Sequence, residues 1–299
     1  MGKVLITGAN GLLGQKLCRH FSASYQAVAI DLHPQSFIPS PDIIYHSLDI
    51  TNREKVVSFI RGHQPGLIIN AAAYTDVDGC EVNQKEARAV NLEAVETLVE
   101  ICRKQKIRLI HLSTDYVFDG ENGPYAEEDL PHPVSYYGKT KLESEKVIRS
   151  GNIDFLIVRT NVLYGWGKKV KTNFLLWLLE RLSGKQKIEI VTDQYNNPTL
   201  ADNLSACIWE MAEKKLSGIF HVGGAEYLSR YDFALKVADK FGFDKSLISP
   251  VQTDLLAQPA SRPKRGGLKI DKARKFIKTR PLNVEEGLEQ VKREMIKRD

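Results

Sequence analysis

At 299 residues, with 42% hydrophobic and 26% charged side chains, the chain has a globular composition and not a disordered or collagen-like one. No apolar run approaches the ~20 residues of a membrane span, and "MGKVLITGANG" passes straight into a strand-like run with no secretory pattern, so we expect a cytoplasmic protein with no membrane partner. The net charge of +5 is unevenly spread: between Ser261 and Pro281 nine Lys or Arg residues face Asp271 alone, with Phe276 the one aromatic, which argues against nucleic acid and for a solvated face or contacts to an anionic substrate.

The first strand-like run, "KVLITG" (3–8), leads through Gly8, Gly11 and Gly14 into an amphipathic stretch, Leu12–Phe21. Glycines at this strand-to-helix junction permit a tight turn, close approach of a pyrophosphate and close packing of the helix, whose N-terminus offers N–H donors. The spacing is GxxGxxG, which departs from the commoner GxGxxG. The next run, "QAVAID" (26–31), ends on Asp31, whose carboxylate suits both hydroxyls of an adenosine ribose and repels a 2′-phosphate. NAD(H) is therefore expected over NADP(H), although a rearranged neighbour would still admit the phosphate. The run at 42–47 is followed by Asp49, a candidate for the adenine edge.

Further runs at 66–72, 107–113 and 154–160 alternate with helical stretches at Lys55–Arg61, Lys85–Lys104 and Ser135–Ile148. This alternation predicts an α/β fold, a doubly wound parallel sheet of Rossmann-like type with a smaller C-terminal substrate region. After Gly165 the rhythm loosens into a helix at 173–182, a strand at 188–191, a rejoining strand at 218–224 and helices at Tyr231–Phe241 and Asn283–Lys297. Residues 1–165 are read as the dinucleotide-binding domain, with 195–224 rejoining its sheet, and 166–194 with 225–299 as the substrate-binding region. Cys18, Cys80, Cys102 and Cys207 show no metal-ligand spacing and read as buried thiols, and His111 and His221 as hydrogen-bonded core residues. No metal site is expected.

"VSYYGKTKLESEK" (134–146) offers two helical pairs, Tyr137 with Lys141 and Tyr136 with Lys139. A tyrosine beside an ammonium is a proton donor whose pKa falls from ~10 towards working pH. "HLSTDYVFDG" (111–120) adds Ser113 and Thr114, hydroxyls able to orient a carbonyl at the end of a strand. Spacing alone leaves both pairs open.

Taken together, Gly8–Gly14, Asp31, "NAAAYT" (70–75), "STDYVF" and "YGKTK" resemble the extended short-chain dehydrogenases/reductases. "STDYVFDG", "YYGKTKLESEK", "DQYNNPT" (193–199) and "PASRP" (259–263) resemble the dTDP-4-dehydrorhamnose reductase family more narrowly. The resemblance selects Tyr137 as proton donor, Lys141 as its partner and ribose contact, and Thr114 as the hydroxyl on the substrate oxygen. It implies Gly11, Leu12, Leu13, Asp31, Asp49, Ile50, Ala72, Ala73 and Tyr74 along the cofactor and Asp115 beside a nucleotide-sugar substrate. It also implies a homodimer through the helices at 85–104 and 135–148. Arg262 is a candidate for the diphosphate. Where the family usually carries a tryptophan near the sugar, "RTNVLYGWG" has Val162, with Trp166 close by in sequence. The regulatory β subunit of methionine adenosyltransferase resembles the same family, so a cofactor-binding protein without turnover is an alternative to an enzyme. Another nucleotide-sugar epimerase or dehydratase is a further one.

Overall fold

Apolar runs bounded by turn residues become the strands of one parallel sheet covered on both faces. In the computed structural model, which describes residues 2–38 and 40–296, they are β1 (Lys3–Thr7), β2 (Gln26–Asp31), β3 (Ile43–Ser47), β4 (Leu67–Asn70), β5 (Arg108–Thr114) and β6 (Phe155–Thr160). Short β7 (Leu163–Tyr164), β8 (Ile188–Val191), β9 (Tyr195–Asn196) and β10 (Thr199–Leu200) follow, then β11 (Gly218–His221), β12 (Leu228–Ser229) and β13 (Ile248–Val251). The main sheet runs β11-β6-β5-β4-β1-β2-β3, every pair parallel. The chain moves outward from β1 to β3 and then returns to β4 on the other side of β1. The order reverses there, which opens a crevice beyond the carboxyl ends of β1 and β4.

The helices are α1 (Leu12–Ser22), α2 (Arg53–His63), α3 (Val77–Val82), α4 (Gln84–Arg88), α5 (Ala94–Gln105), α6 (Tyr136–Ser150), α7 (Phe174–Ser183), α8 (Ala201–Glu213), α9 (Arg230–Phe241), α10 (Asp271–Phe276) and α11 (Val284–Ile296). Alternation along β1 sends Val4 and Ile6 to one face, where Leu17 and Phe21 of α1 pack with Leu204 and Ile208 of α8. Leu5 points to the other, where Ile60 of α2, Leu98 of α5 and Ile148 of α6 pack on Ile68, Leu109 and Ile157. Each such side chain contributes about 1.5–3 kcal/mol through burial. The doubly wound sheet expected from the sequence is what forms.

A separate apolar cluster joins Leu175 and Leu178 of α7, Phe233 and Val237 of α9, Leu288 of α11 and Ile190 of β8, with Trp166 packed against it. Here β8 pairs with β13, a partner that the sequence did not suggest. The helix expected over 85–104 is interrupted: a π-helical turn at Ala89–Glu93 separates α4 from α5. The expected end of the last helix, Lys297, lies outside the described residues. All four cysteines are buried free thiols. Among the described residues no helix is long and apolar enough to cross a membrane.

Part of the basic stretch after Ser261 is paired. Lys264 meets Asp254 and Asp193, Arg280 meets Glu286, and Lys272 donates to the Ile219 carbonyl.

Candidate active site

The crevice begins at the glycine-rich turn. Gly8 has φ +66°, and a Cβ there would lie 2.7 Å from the Ala72 nitrogen; one on Gly14 would lie 2.0 Å from the Gly8 carbonyl oxygen. Larger residues would therefore push the turn away from β4 and lift α1 from the sheet. Gly11 is the N-cap of α1 and makes no side-chain cap, so the N–H groups of Leu12 and Leu13 face the crevice end of the helix. Leu13 and Gly14 are buried. Asp31 ends β2 beside this turn and accepts from the Asn10 backbone N–H at 3.0 Å and the His33 N–H at 3.2 Å. Asp49 is exposed and accepts from the Thr51 N–H and hydroxyl at 2.8 and 2.7 Å, while the adjacent Ile50 is buried. Ala72, Ala73 and Tyr74, all half-buried, continue from β4 along the crevice. The π-helical turn supplies Asn91, whose Oδ1 accepts from Tyr74 N–H at 2.8 Å while its Nδ2 donates to the Tyr74 carbonyl and to Thr140 Oγ1. An interrupted helix thus ties the crevice wall to α6, a device that no periodicity reveals. Glycine positions that admit no Cβ, an open helix N-terminus and an acid at the next strand end together fit a dinucleotide.

The second half of the site lies where β5 ends. Thr114 caps the short 3-10 turn Asp115–Val117 by accepting from the Tyr116 N–H. Against that turn packs α6, which starts with Ser135 accepting from Gly138 N–H. Gly138 makes the approach possible, since a Cβ there would lie 2.1 Å from the Tyr116 carbonyl oxygen. The helix so placed brings the Tyr137 phenol close to Thr114 and into an edge-on contact with Tyr116, ring centroids 5.7 Å apart. Burial pushes the Tyr137 phenol up, the nearby Thr114 hydroxyl works against that rise, and Asp115 adds to it. The depression expected from Lys141 is not what this geometry produces. Lys141 is 1% exposed, burial lowers its pKa to about 8, and its Nζ sits 3.1 Å from His111 Nε2. Tyr136 and Lys139 lie apart from this group: Tyr136 N–H is tied to Glu81 at 2.7 Å and Lys139 is exposed.

Asp115 is 3% exposed and accepts from Asn161 Nδ2 at 3.3 Å, Gly267 N–H at 3.2 Å and Thr114 Oγ1 at 3.3 Å. Burial raises its carboxyl above the usual range. Val162 follows Asn161 with φ +38°, and its carbonyl accepts from Thr199 N–H at 3.1 Å. Arg262, the diphosphate candidate, is instead engaged with Asp78: Nη1 and Nη2 reach the two carboxylate oxygens at 3.0 and 2.6 Å, and that hydrogen bonding holds the Asp78 carboxyl below its ordinary range. A different arginine faces the site. Arg230, at the start of α9, lies near the Tyr116 phenol, where its charge works against the rise that burial imposes, and stacks over Phe174 at 5.0 Å. Nothing in its local sequence marks it, because the contact depends on α9 folding back to the end of β5.

Below these groups lies a fully buried ion pair. Arg159 of β6 grips Glu145 of α6 through Nε at 2.9 Å and Nη2 at 2.7 Å, and Ser113 donates to the same carboxylate at 2.5 Å. This pair fixes α6 against β5 and β6, and with it the heights of Tyr137 and Lys141.

The chain is 39% identical over 269 residues, 89% of each chain, to the probable low-salt glycan biosynthesis reductase Agl14 of Haloferax volcanii. It is 32% identical over 277 residues, 90% of this chain and 81% of the relative, to methionine adenosyltransferase 2 subunit beta of Rattus norvegicus. The crystal structure of dTDP-4-dehydrorhamnose reductase from Bacillus anthracis in complex with NADP superposes with a TM-score of 0.87 at 29% identity, covering 98% of this chain and 100% of that one. Since the model of the RmlD substrate binding domain matches residues 2–296, the chain belongs to that family.

Proposed function

We propose that the protein reduces the C4 ketone of a nucleotide-activated deoxysugar, dTDP-4-dehydrorhamnose to dTDP-L-rhamnose being the leading pair, with NADH or NADPH. The carrying observation is the close approach of Tyr137 to Thr114 at the end of β5, with Lys141 buried one helical turn along α6 and the glycine-rich turn two strands away, beyond β4. When bound, the nicotinamide cofactor supplies the hydride. Gly8, Gly11, Leu12, Leu13 and Gly14 hold its pyrophosphate, Asp31 its ribose with a preference for NADH, and Asp49, Ile50, Ala72, Ala73 and Tyr74 line its course. Thr114 orients the ketone oxygen, and Tyr137, kept protonated by burial, gives its proton to the developing alkoxide. Lys141 holds the ribose and the polar row behind Tyr137. Asp115 and Val162 face the sugar, and Arg230 takes the role first considered for Arg262. Residues 166–194 and 225–299 form the substrate side, and the working unit is a homodimer.

Purified protein incubated with dTDP-4-dehydrorhamnose should oxidise NADH or NADPH and yield dTDP-L-rhamnose. A panel of other 4-keto sugar nucleotides defines the substrate. Cofactor binding with no turnover on any of them would sink this reading and favour a regulatory subunit, a role that the relationship to the adenosyltransferase subunit brings forward.

A further inference from the structure

Thr7, Asn70 and His111 are register partners on three neighbouring strands: Thr7 lies opposite Asn70 in the β1–β4 pair, and Asn70 opposite His111 in the β4–β5 pair. They make a buried polar row across the sheet, and the direction of each hydrogen bond follows from the Asn70 amide, whose oxygen is turned to Thr7 and whose nitrogen is turned to His111. The Ala72 N–H can only donate, and it reaches Thr7 Oγ1 at 3.1 Å. The Thr7 hydroxyl donates onward to Asn70 Oδ1 at 2.6 Å. With its oxygen so engaged, Asn70 presents Nδ2 to His111 Nδ1 at 3.1 Å. An amide NH2 offers only protons, so Nδ1 accepts and the neutral ring carries its hydrogen on Nε2. Two groups face Nε2: Lys141 Nζ at 3.1 Å and Ser144 Oγ at 3.2 Å. Ser144 spends its own proton on the Lys141 carbonyl at 2.7 Å.

We propose that His111 is a positioning residue for Lys141, holding the lysine amine with an Nε2–H that the Asn70 amide on the neighbouring strand sets by occupying Nδ1. The inference rests on the role given to Lys141 above. An N–H aimed at an amine favours its neutral form, in the same direction as burial, while Glu145 on α6 favours the ammonium. The remaining groups around the pair are Asn70 from β4 and Ser144 from α6, and Glu145 is itself held by Arg159 of β6. Lys141 thereby gains or loses its charge near working pH, and Asn70 with His111 set where that happens.

Nitrogen-15 NMR of the His111 ring in the whole chain reads the tautomer without turnover. A pyridine-type Nδ1 and a pyrrole-type Nε2 from mildly acidic to mildly alkaline pH are expected; the opposite pattern overturns the proposal. Asn70→Asp places a carboxylate, which only accepts, against Nδ1. The ring should then carry its proton there and turn a bare Nε2 to the ammonium, moving the alkaline limb of kcat up by about one pH unit, tenfold in proton activity. His111→Gln should also displace that limb. A limb unmoved in both variants would make His111 core filling and nothing more. Tyr137→Phe is the separate control: full activity there would refute the reading of the site, whereas the tautomer measurement judges His111 independently.

Discussion

The backbone N–H of Asn10 donates to Asp31 Oδ2 at 3.0 Å, so the acid that ends β2 is anchored to the turn between β1 and α1. Asp31→Ala removes both a ribose acceptor and that anchor. NADH affinity should fall about tenfold or more, the range of a lost charge-assisted hydrogen bond, and its advantage over NADPH should narrow. Titrating both cofactors by fluorescence decides it; an unchanged ratio would remove Asp31 from cofactor choice.

Tyr137→Phe deletes one hydroxyl from a ring that keeps its contact with Tyr116. Cofactor binding should persist while kcat drops by about 100-fold or more, the scale of general acid catalysis. Thr114→Val removes the hydroxyl nearest that phenol and should lower kcat by a smaller factor. Single-turnover mixing separates these effects from product release.

Gly14 and Gly62 make a matched test of backbone crowding. A Cβ on Gly14 would lie 2.0 Å from the Gly8 oxygen, whereas one on Gly62, in α2, meets nothing within 4 Å. Gly14→Ala should destabilise by about 1–3 kcal/mol and weaken dinucleotide binding. Gly62→Ala should stabilise by about 0.4–1 kcal/mol by restricting the unfolded chain. Urea unfolding of both variants checks the pair of signs.

Removing one partner of the Arg159–Glu145 pair leaves a charge buried without compensation. Glu145→Gln should cost about 3–5 kcal/mol, because both partners are at most 2% exposed. Loss of that size by urea unfolding, with kcat falling alongside as α6 loosens, is the expected result. A cost below about 1 kcal/mol would place the pair with ordinary surface bridges.

His221 is buried, and burial followed by the nearby Arg159 pushes its pKa down to about 3. The unfolded chain binds a proton at this ring below about pH 6.5 while the folded one does not, so its contribution to stability is complete above that pH. It is lost progressively as pH falls towards the folded value. Glu100 and Glu210, held down at about 2, act in the same direction only below the ordinary Glu range. Between about pH 5 and 6.5 the slope of stability should therefore be flatter in His221→Gln than in the native chain. Parallel slopes would show that His221 is not buried neutral.

Much of the fold is visible in local pattern. Strands such as Val4–Ile6 and the Leu67–Ile69 part of β4 are unbroken apolar runs, and a strand buried on both faces needs nothing else to be recognised. Long-range pairing is not written locally. Ile188–Val191 reads as a strand, yet its partner, Ile248–Val251, contains Pro250 and gives little sign of one. The Ala89–Glu93 turn hides within a helical pattern because one extra residue per turn hardly alters periodicity. In the site, Tyr137 and Thr114 were recognisable from spacing and resemblance. His111 read as a hydrogen-bonded core residue because its Lys141 contact arrives from another element, and Arg262 read as a diphosphate candidate because its partner Asp78 lies far from it in sequence.

Val162 has φ +38°, a conformation in which a β-branched side chain crowds its own backbone, at a cost on the order of 1–3 kcal/mol. Thr199 N–H secures its carbonyl, and the preceding Asn161 is bonded to Asp115, so the neighbourhood enforces a shape that the residue resists. Stability and the sugar contact proposed for Val162 are consequently in opposition at this one position. Val162→Gly should give a sturdier protein and, under the proposed function, one that discriminates less sharply among sugar nucleotides.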